Sequence, residues 1–397
     1  MNAAYRHGAR AARRRGARRL STEPGRVLRV LGIESTCDDT AAAVVSSDGR
    51  VLGEASRHQY HVHEPHGGIV PALAADQHLR SIPLVVRAAL AQAGMRIGDV
   101  DAVAVARGPG MPGGLTVGLA AAKTLACVHA LPLVGVHHME AHALMARMTQ
   151  ALAFPYVCLL ASGGHTLTLA VHGVNEHTLI GSTRDDSVGE AFDKVARELR
   201  VPWLDTQHGG GAGAALEALA REGDATRFAM PVPMDKAGSA ASPDFSFAGL
   251  KTHVRGLCAS DAFDARSRQD RADAAAAFQR AAVTHLRKKT ALAIARARDV
   301  LGADPQSLVV SGGVASNQAV RSALGALAAQ HGLALACPPP QLCADNGVMI
   351  GWAGIERLRC GLLDPYSIDF IQRWPLDRLK HMGYRRRSSS FEPDPCD

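Results

Sequence analysis

Aromatic side chains are scarce in this 397-residue chain, at 4% of the total, while glycine is abundant at 39. With 47% of residues hydrophobic, that balance argues against an all-β or coiled-coil protein and points to an α/β fold with many tight loops. No apolar run approaches the roughly 20 residues needed to span a bilayer, so no membrane insertion is expected. The eight cysteines include no C-x-x-C pair, which argues against a zinc knuckle and a secreted disulfide framework and suits a reducing compartment. Neither G-x-G-x-x-G with a downstream acid nor G-x-x-x-x-G-K-[ST] occurs, and the Rossmann and P-loop readings fall away. Acids are missing from the first 22 residues, MNAAYRHGARAARRRGARRLST, which carry seven arginines. Without them the net charge of +7 drops to zero. The segment predicts a mitochondrial presequence over about residues 1–28, with the matrix as destination; a basic arm that binds nucleic acid is the alternative. A polyanion must then be met by a local patch, because the global field of the remaining body is weak.

What is present is a pattern given twice. RVLRVLGIESTCDDTAAAVVSSDGRVLGEA reads as apolar run, acid-rich turn, apolar run, Ser-Asp-Gly turn and third run. Helical periodicity follows at 78–95, a strand at 101–110, a helix from about Leu115 to Ala130, the short strand LPLVGV and a histidine-bearing helix. FPYVCLLASGGHTLTLAVHG at 154–173 restarts the strand–turn–strand pattern. The reading is a duplicated fold with its ligand between two halves, 29–150 and 151–365, the last helices returning to the first half. Residues 205–260 are Gly-rich and irregular, 263–303 predict two long Ala/Arg-rich helices, and the Ser/Arg-rich segment 375–397 predicts a flexible tail.

HHMEAH at 137–142 resembles a zinc motif, and its spacing decides which kind. His138 and His142 stand four apart, as two ligands on adjacent helical turns do. Glu140 lies two positions from each and points about 200° away from that face, so it cannot serve as the base of a zincin protease. Four loops, ESTCDDT, GPGMPGG, ASGGH and VSGGVASN, follow apolar strands. Glycines there can bring main-chain N–H groups to phosphate oxygens at helix starts, which favours a nucleotide site.

In order along the chain, VLGIESTCDDTAAAVV, GGIVPALAADQH, GPGMPGGLTVG, HHMEAHA, SGGHT, DFSFAGLKT, VSGGVASN and CADNGVMIGWAGIERL resemble the tRNA N6-adenosine threonylcarbamoyltransferases, and with the presequence their mitochondrial type. The resemblance covers most of residues 29–360. It implies the actin, sugar-kinase and heat-shock-chaperone fold, two RNase-H-like domains around a nucleotide cleft. It further implies transfer of threonylcarbamoyl from threonylcarbamoyl-adenylate to N6 of the adenosine 3′ of the anticodon in mitochondrial tRNAs that read ANN codons. Asp345 would join His138 and His142 around one divalent metal, zinc or iron. Ser162, Gly163, Gly164, His165, Asp193, Gly213, Glu217 and Asn317 would hold the nucleotide. A homodimer is implied as well. The base is left open among Glu34, Asp38 and Asp39, with a structural turn role as the alternative. Two positions depart from the family pattern: Ala72 stands where Glu is common, and Asp76 where Arg is. Arg184, Lys251, Arg255, Lys288, Lys289 and the Arg385–Arg387 cluster are candidate phosphate contacts. The rival readings are a small-molecule kinase of the same superfamily and a nucleotide-binding scaffold without turnover.

Overall fold

The computed structural model describes residues 26–204, 210–236, 238–381 and 385–386. Residues 1–25 of the expected presequence and residues 382–384 and 387–397 of the tail, Arg387 included, lie outside them. The start of the tail is not loose but a short 3-10 helix, Leu376–His381, with Leu376 and Leu379 buried against the second sheet. Strands β1 (Arg29–Glu34), β2 (Asp39–Ser46), β3 (Val51–His58), β4 (Ala102–Gly108) and β5 (Leu133–His137) form one sheet in the order β3-β2-β1-β4-β5. β1 runs antiparallel to β2, from Arg29 opposite Ser46 to Glu34 opposite Ala41, and parallel to β4. These central strands are apolar on both faces because helices cover both. Leu31, Ile33 and Val44 face α1 (Pro71–Gln92) and α2 (Pro112–Val128).

The second sheet repeats the first. β6 (Tyr156–Ala161), β7 (Thr166–Gly173), β8 (Glu176–Ser182), β9 (Ser307–Ser311) and β10 (Ala334–Ala336) are ordered β10-β9-β6-β7-β8, with β6 in the place of β1. The same antiparallel and parallel pairings recur, which is the duplication read in the sequence.

Between the sheets lies α3 (His138–Leu144), all seven of its residues buried. Ala141 and Leu144 pack with β4 and β5 on the first sheet, while Met139 and Ala143 pack with β6, β7 and β9 on the second. The second half is completed by α4 (Val188–Glu198), α5 (Gly211–Ala220), α6 (Ala248–Cys258), α7 (Arg268–Leu301) and α8 (Gln318–Gln330). α9 (Gly347–Arg359), the last α-helix among the described residues, packs on β1, β2, β4 and β5 of the first sheet. Its approach is at backbone contact: a Cβ on Gly32 would stand 2.3 Å from the Gly347 carbonyl oxygen.

Three local expectations change. Residues 263–303 hold one 34-residue helix rather than two, capped by Ser267 accepting from the Asp270 amide at 3.1 Å. Its alanines favour the helix and no interior Gly or Pro interrupts it; it stops at Gly302, which takes φ +62°. The irregular stretch 205–260 contains α5 and α6. α1 begins seven residues earlier than the periodicity indicated, with Pro71 in the first turn, where its missing N–H costs nothing.

Candidate functional site

The acid-rich turn between β1 and β2, the start of α3 and the loop before α9 meet between the halves. His138 and His142, one turn apart on α3, face Asp345. His142 Nε2 lies 3.1 Å from Asp345 Oδ1, and His138 Nε2 lies 3.5 Å from the same oxygen. One donor atom from each residue falls within 4.8 Å of the others. The second nitrogen of His138 is fixed from behind, Nδ1 lying 3.0 Å from Glu34 Oε2 and 3.2 Å from Thr36 Oγ1. Burial opposes protonation of His138, but Asp345 and Glu34 outweigh it and hold its pKa up at about 9. Burial likewise opposes ionisation of Asp345, yet the two imidazoles hold its carboxyl well below the usual carboxylate range. Two imidazoles, one carboxylate and a carboxylate behind a ring nitrogen form a donor set that fits a divalent metal.

Glu140 points the other way, as the helical spacing required. It is fully buried, ion-paired with Arg357 of α9 and accepting from the Asn175 amide at 2.6 Å. It ties α3 to both halves and leaves no zincin base.

The acid turn assigns its three carboxylates different tasks. Glu34 Oε1 accepts from the Thr36 amide at 2.6 Å while Oε2 faces His138, so both oxygens are engaged. Asp39 is buried against His58 Nδ1 at 2.7 Å; burial raises its pKa to about 7. Asp38 is half-buried, accepts from the Cys37 thiol, and has its pKa raised by burial.

On the facing half, the ASGGH turn closes on itself: the Ser162 amide donates to the His165 carbonyl at 2.8 Å, and the His165 amide donates to Ser162 Oγ at 3.1 Å. A Cβ on Gly163 or Gly164 would meet nothing within 4 Å, so this edge opens into free space. His165 is close enough to the cluster that burial, then His138 and His142, push its pKa down to about 4. Ser187, which caps α4, donates to the Gly163 carbonyl. Nearly two turns past this cap, Asp193 is raised to about 6 by burial and accepts from the Gly213 main chain at the start of α5. Glu217 Oε1 accepts from the Gln318 amide at 3.0 Å, joining α5 to α8. Asn317 caps α8, accepting from the Val320 amide at 3.1 Å and donating to Gln279 at 2.9 Å.

The glycine loops divide by use. In GPGMPGGLTVG they serve packing: a Cβ on Gly114 would stand 2.2 Å from the Ser35 carbonyl oxygen, and one on Gly118 2.1 Å from Ser35 Oγ. At these two positions the missing side chain therefore has a packing reason. In VSGGVASN, Gly312 sits at φ +93° against the Ala161 carbonyl, whereas Gly313 is open. The candidate phosphate contacts are largely engaged. Arg184 pairs with Asp244 at 3.0 Å, Lys251 with Asp186 at 2.6 Å, Arg255 with Glu198 at 3.1 Å and Lys288 with Asp235 at 2.6 Å. Lys289 is buried and donates to the carbonyls of Ser239 and Ser242 at 2.9 Å, with Met234 and Ala240 further off, so it pins a loop rather than meeting solvent. Asp76, a departure from the family pattern, pairs with Arg80 on the same helix. The orienting role of Glu34 and the Glu140–Arg357 pair leave no local signal in the sequence, since each depends on contacts more than 100 residues away.

Comparisons with known proteins identify the family. A profile described as TsaD, tRNA N6-adenosine threonylcarbamoyltransferase, matches residues 50–352. Proteins named tRNA N6-adenosine threonylcarbamoyltransferase are similar over most of the chain. The one from Methylocapsa acidiphila is 46% identical over 354 residues, 88% of this chain and 97% of its own length. The one from Methylobacterium sp. (strain 4-46) is 46% identical over 352 residues, 88% and 97%. Among solved structures, HypF from T. kodakarensis superposes with a TM-score of 0.53 at 15% identity, covering 83% of this chain and 48% of that one, a likeness of fold alone.

Proposed function

The chain belongs to the tRNA N6-adenosine threonylcarbamoyltransferase family and is a transferase, and we propose that it modifies mitochondrial tRNAs that read ANN codons, at the adenosine 3′ of the anticodon, as a homodimer in the matrix. The arginine-rich, acid-free N-terminal segment supports the mitochondrial part; the ANN selectivity and the homodimer rest on the family resemblance. Among the described residues no helix is long and apolar enough to cross a membrane.

The observation that carries the mechanism is the convergence of His138, His142 and Asp345 beside the open SGGH turn. In the reaction, adenosine N6 attacks the carbamoyl carbon of threonylcarbamoyl-adenylate. A C–N bond forms, the C–O bond to phosphate breaks, AMP leaves, and N6 gives up a proton. His138, His142 and Asp345 would hold a zinc or iron ion, which when bound supplies Lewis acidity and a template for phosphate oxygens. Glu34 holds the His138 ring so that Nε2 faces the ligand position. Ser162, Gly163, Gly164 and His165 present main-chain and hydroxyl groups to the phosphate, and Asp193 and Glu217 accept from ribose hydroxyls beside Gly213 and Asn317. Asp38 is the best placed of the three acids to receive the N6 proton, because Glu34 is committed to Thr36 and His138 and Asp39 to His58, and burial raises the pKa of Asp38 toward the range of a working base. Alignment of two bound reactants and stabilisation of developing charge supply most of the rate.

The test is transfer in vitro from threonylcarbamoyl-adenylate to unmodified mitochondrial tRNA transcripts, followed by nucleoside mass spectrometry and light scattering of the enzyme. Modified adenosine in ANN-decoding transcripts alone, from a dimer, supports the reading. Equal modification of other tRNAs, or activity from a monomer, removes the corresponding part.

A further inference from the structure

Aromatic rings are few here, and most lie in the cores: Tyr156, Phe245, Phe247 and Phe278 are fully buried. Tyr60 and Trp203 are different. Tyr60 follows β3 in the first half, Trp203 follows α4 in the second, and both are half-buried. Their ring centroids are 6.1 Å apart at an interplanar angle of 77°, so the two halves build a corner from one ring each. His58, which holds Asp39, stacks on Tyr60 at 5.3 Å and 6°. The Gly210 main chain hydrogen-bonds the Tyr60 phenol, and Asp39, Asp38 and Asp345 all act on it electrostatically. The corner therefore borders the acid turn and the metal-ligand cluster on the first-half side. The residues assigned to the donor nucleotide, Asp193, Gly213, Glu217 and Asn317, belong to α4, α5 and the start of α8.

We propose that Tyr60 and Trp203 form the stacking site for the acceptor adenine of tRNA, held where its N6 can reach the acid turn. This rests on the transferase reading above. An adenine whose exocyclic amine must meet a carbonyl between two halves has to leave the anticodon-loop stack, and an aromatic wall replaces the stacking it loses. A corner of two rings receives the base face on one wall and its edge on the other, sequence-tolerantly, while position relative to Asp38 selects the amine.

The experiment uses the full chain and variants Trp203→Ala, Trp203→Phe and Tyr60→Ala. Transfer kinetics with tRNA are paired with adenosine binding as a measure of the donor pocket. A second arm follows the part of the tryptophan fluorescence that Trp203→Phe removes, as an anticodon stem-loop RNA is added with either adenosine or an abasic site at the modified position. The site predicts that kcat/KM for tRNA falls roughly ten- to a hundredfold in Trp203→Ala and Tyr60→Ala, the range expected for loss of one stacked base. Trp203→Phe stays near the parent, adenosine binding is unchanged, and only the adenosine-bearing stem-loop quenches the fluorescence. Parent-like transfer in Trp203→Ala, loss of adenosine binding in step with transfer, or equal quenching by abasic RNA overturns the stacking site while leaving the transferase intact. A parent that makes no modified adenosine at all counts against the transferase reading itself.

Discussion

Glu34 Oε2 stands 3.0 Å from His138 Nδ1, across 104 residues of sequence, and turns the opposite ring nitrogen toward Asp345. A histidine held this way loses rotational freedom and gains basicity at the free nitrogen, as carboxylate-backed metal histidines do. Glu34→Gln keeps the shape and removes the charge. Metal affinity, measured by chelator competition, is expected to fall about ten- to a hundredfold. Unchanged affinity would reduce Glu34 to a turn residue.

The two classes of glycine separate packing from binding. Gly114→Ala drives a methyl into the Ser35 carbonyl and is expected to lower the melting temperature sharply, because backbone must move. Gly163→Ala meets no atom within 4 Å, so stability should hold while transfer falls through obstruction of the ligand. Differential scanning calorimetry beside transfer assays reads both, and a stable, fully active Gly163→Ala would remove that turn from the site.

Arg357 and Glu140 form a buried pair that links α9 to α3. Arg357→Met leaves Glu140 charged and without that partner, which costs about 3–5 kcal/mol of stability by denaturant unfolding. Adding Glu140→Gln should restore a large part. A single variant as stable as the parent would show that the pair contributes nothing.

Asp193 provides a pH handle. Its folded pKa is about 6 against an ordinary aspartate value of 3.8, raised by burial. A raised carboxylate means that the fold takes up a proton between those values, so this group favours the folded state below about pH 4 and that contribution is lost as pH rises through 6. Its ability to accept from a ribose changes in the opposite sense. Adenosine affinity by calorimetry should therefore rise between pH 5 and 7 with an inflection near 6, and Asp193→Asn should abolish the inflection. A flat profile in the parent would dissociate Asp193 from the nucleoside.

The repeat of apolar run, turn and apolar run made the duplicated sheets legible, since period and burial are local properties. The four-residue spacing of His138 and His142 gave their shared face, and the resemblance supplied Asp345, which no local pattern connects to them. What stayed hidden depends on contacts across the fold. Glu34 and Asp38 look alike in ESTCDDT, yet one is buried behind a histidine and the other stands at the cleft. GPGMPGG and ASGGH share a composition, but only the packing of Ser35 shows that the first serves a backbone approach. Lys289 reads as one more cation on a basic helix until its carbonyl cage is seen.

The measurement that bears most directly on the central claim is t6A formation by metal-depleted and metal-reloaded enzyme, run beside a folded His138→Ala/His142→Ala variant and read by nucleoside mass spectrometry. Activity should vanish on depletion, return with zinc or iron, and be absent from the variant under every condition. Modified adenosine from the variant at the parent's rate would contradict it and leave HHMEAH a structural helix.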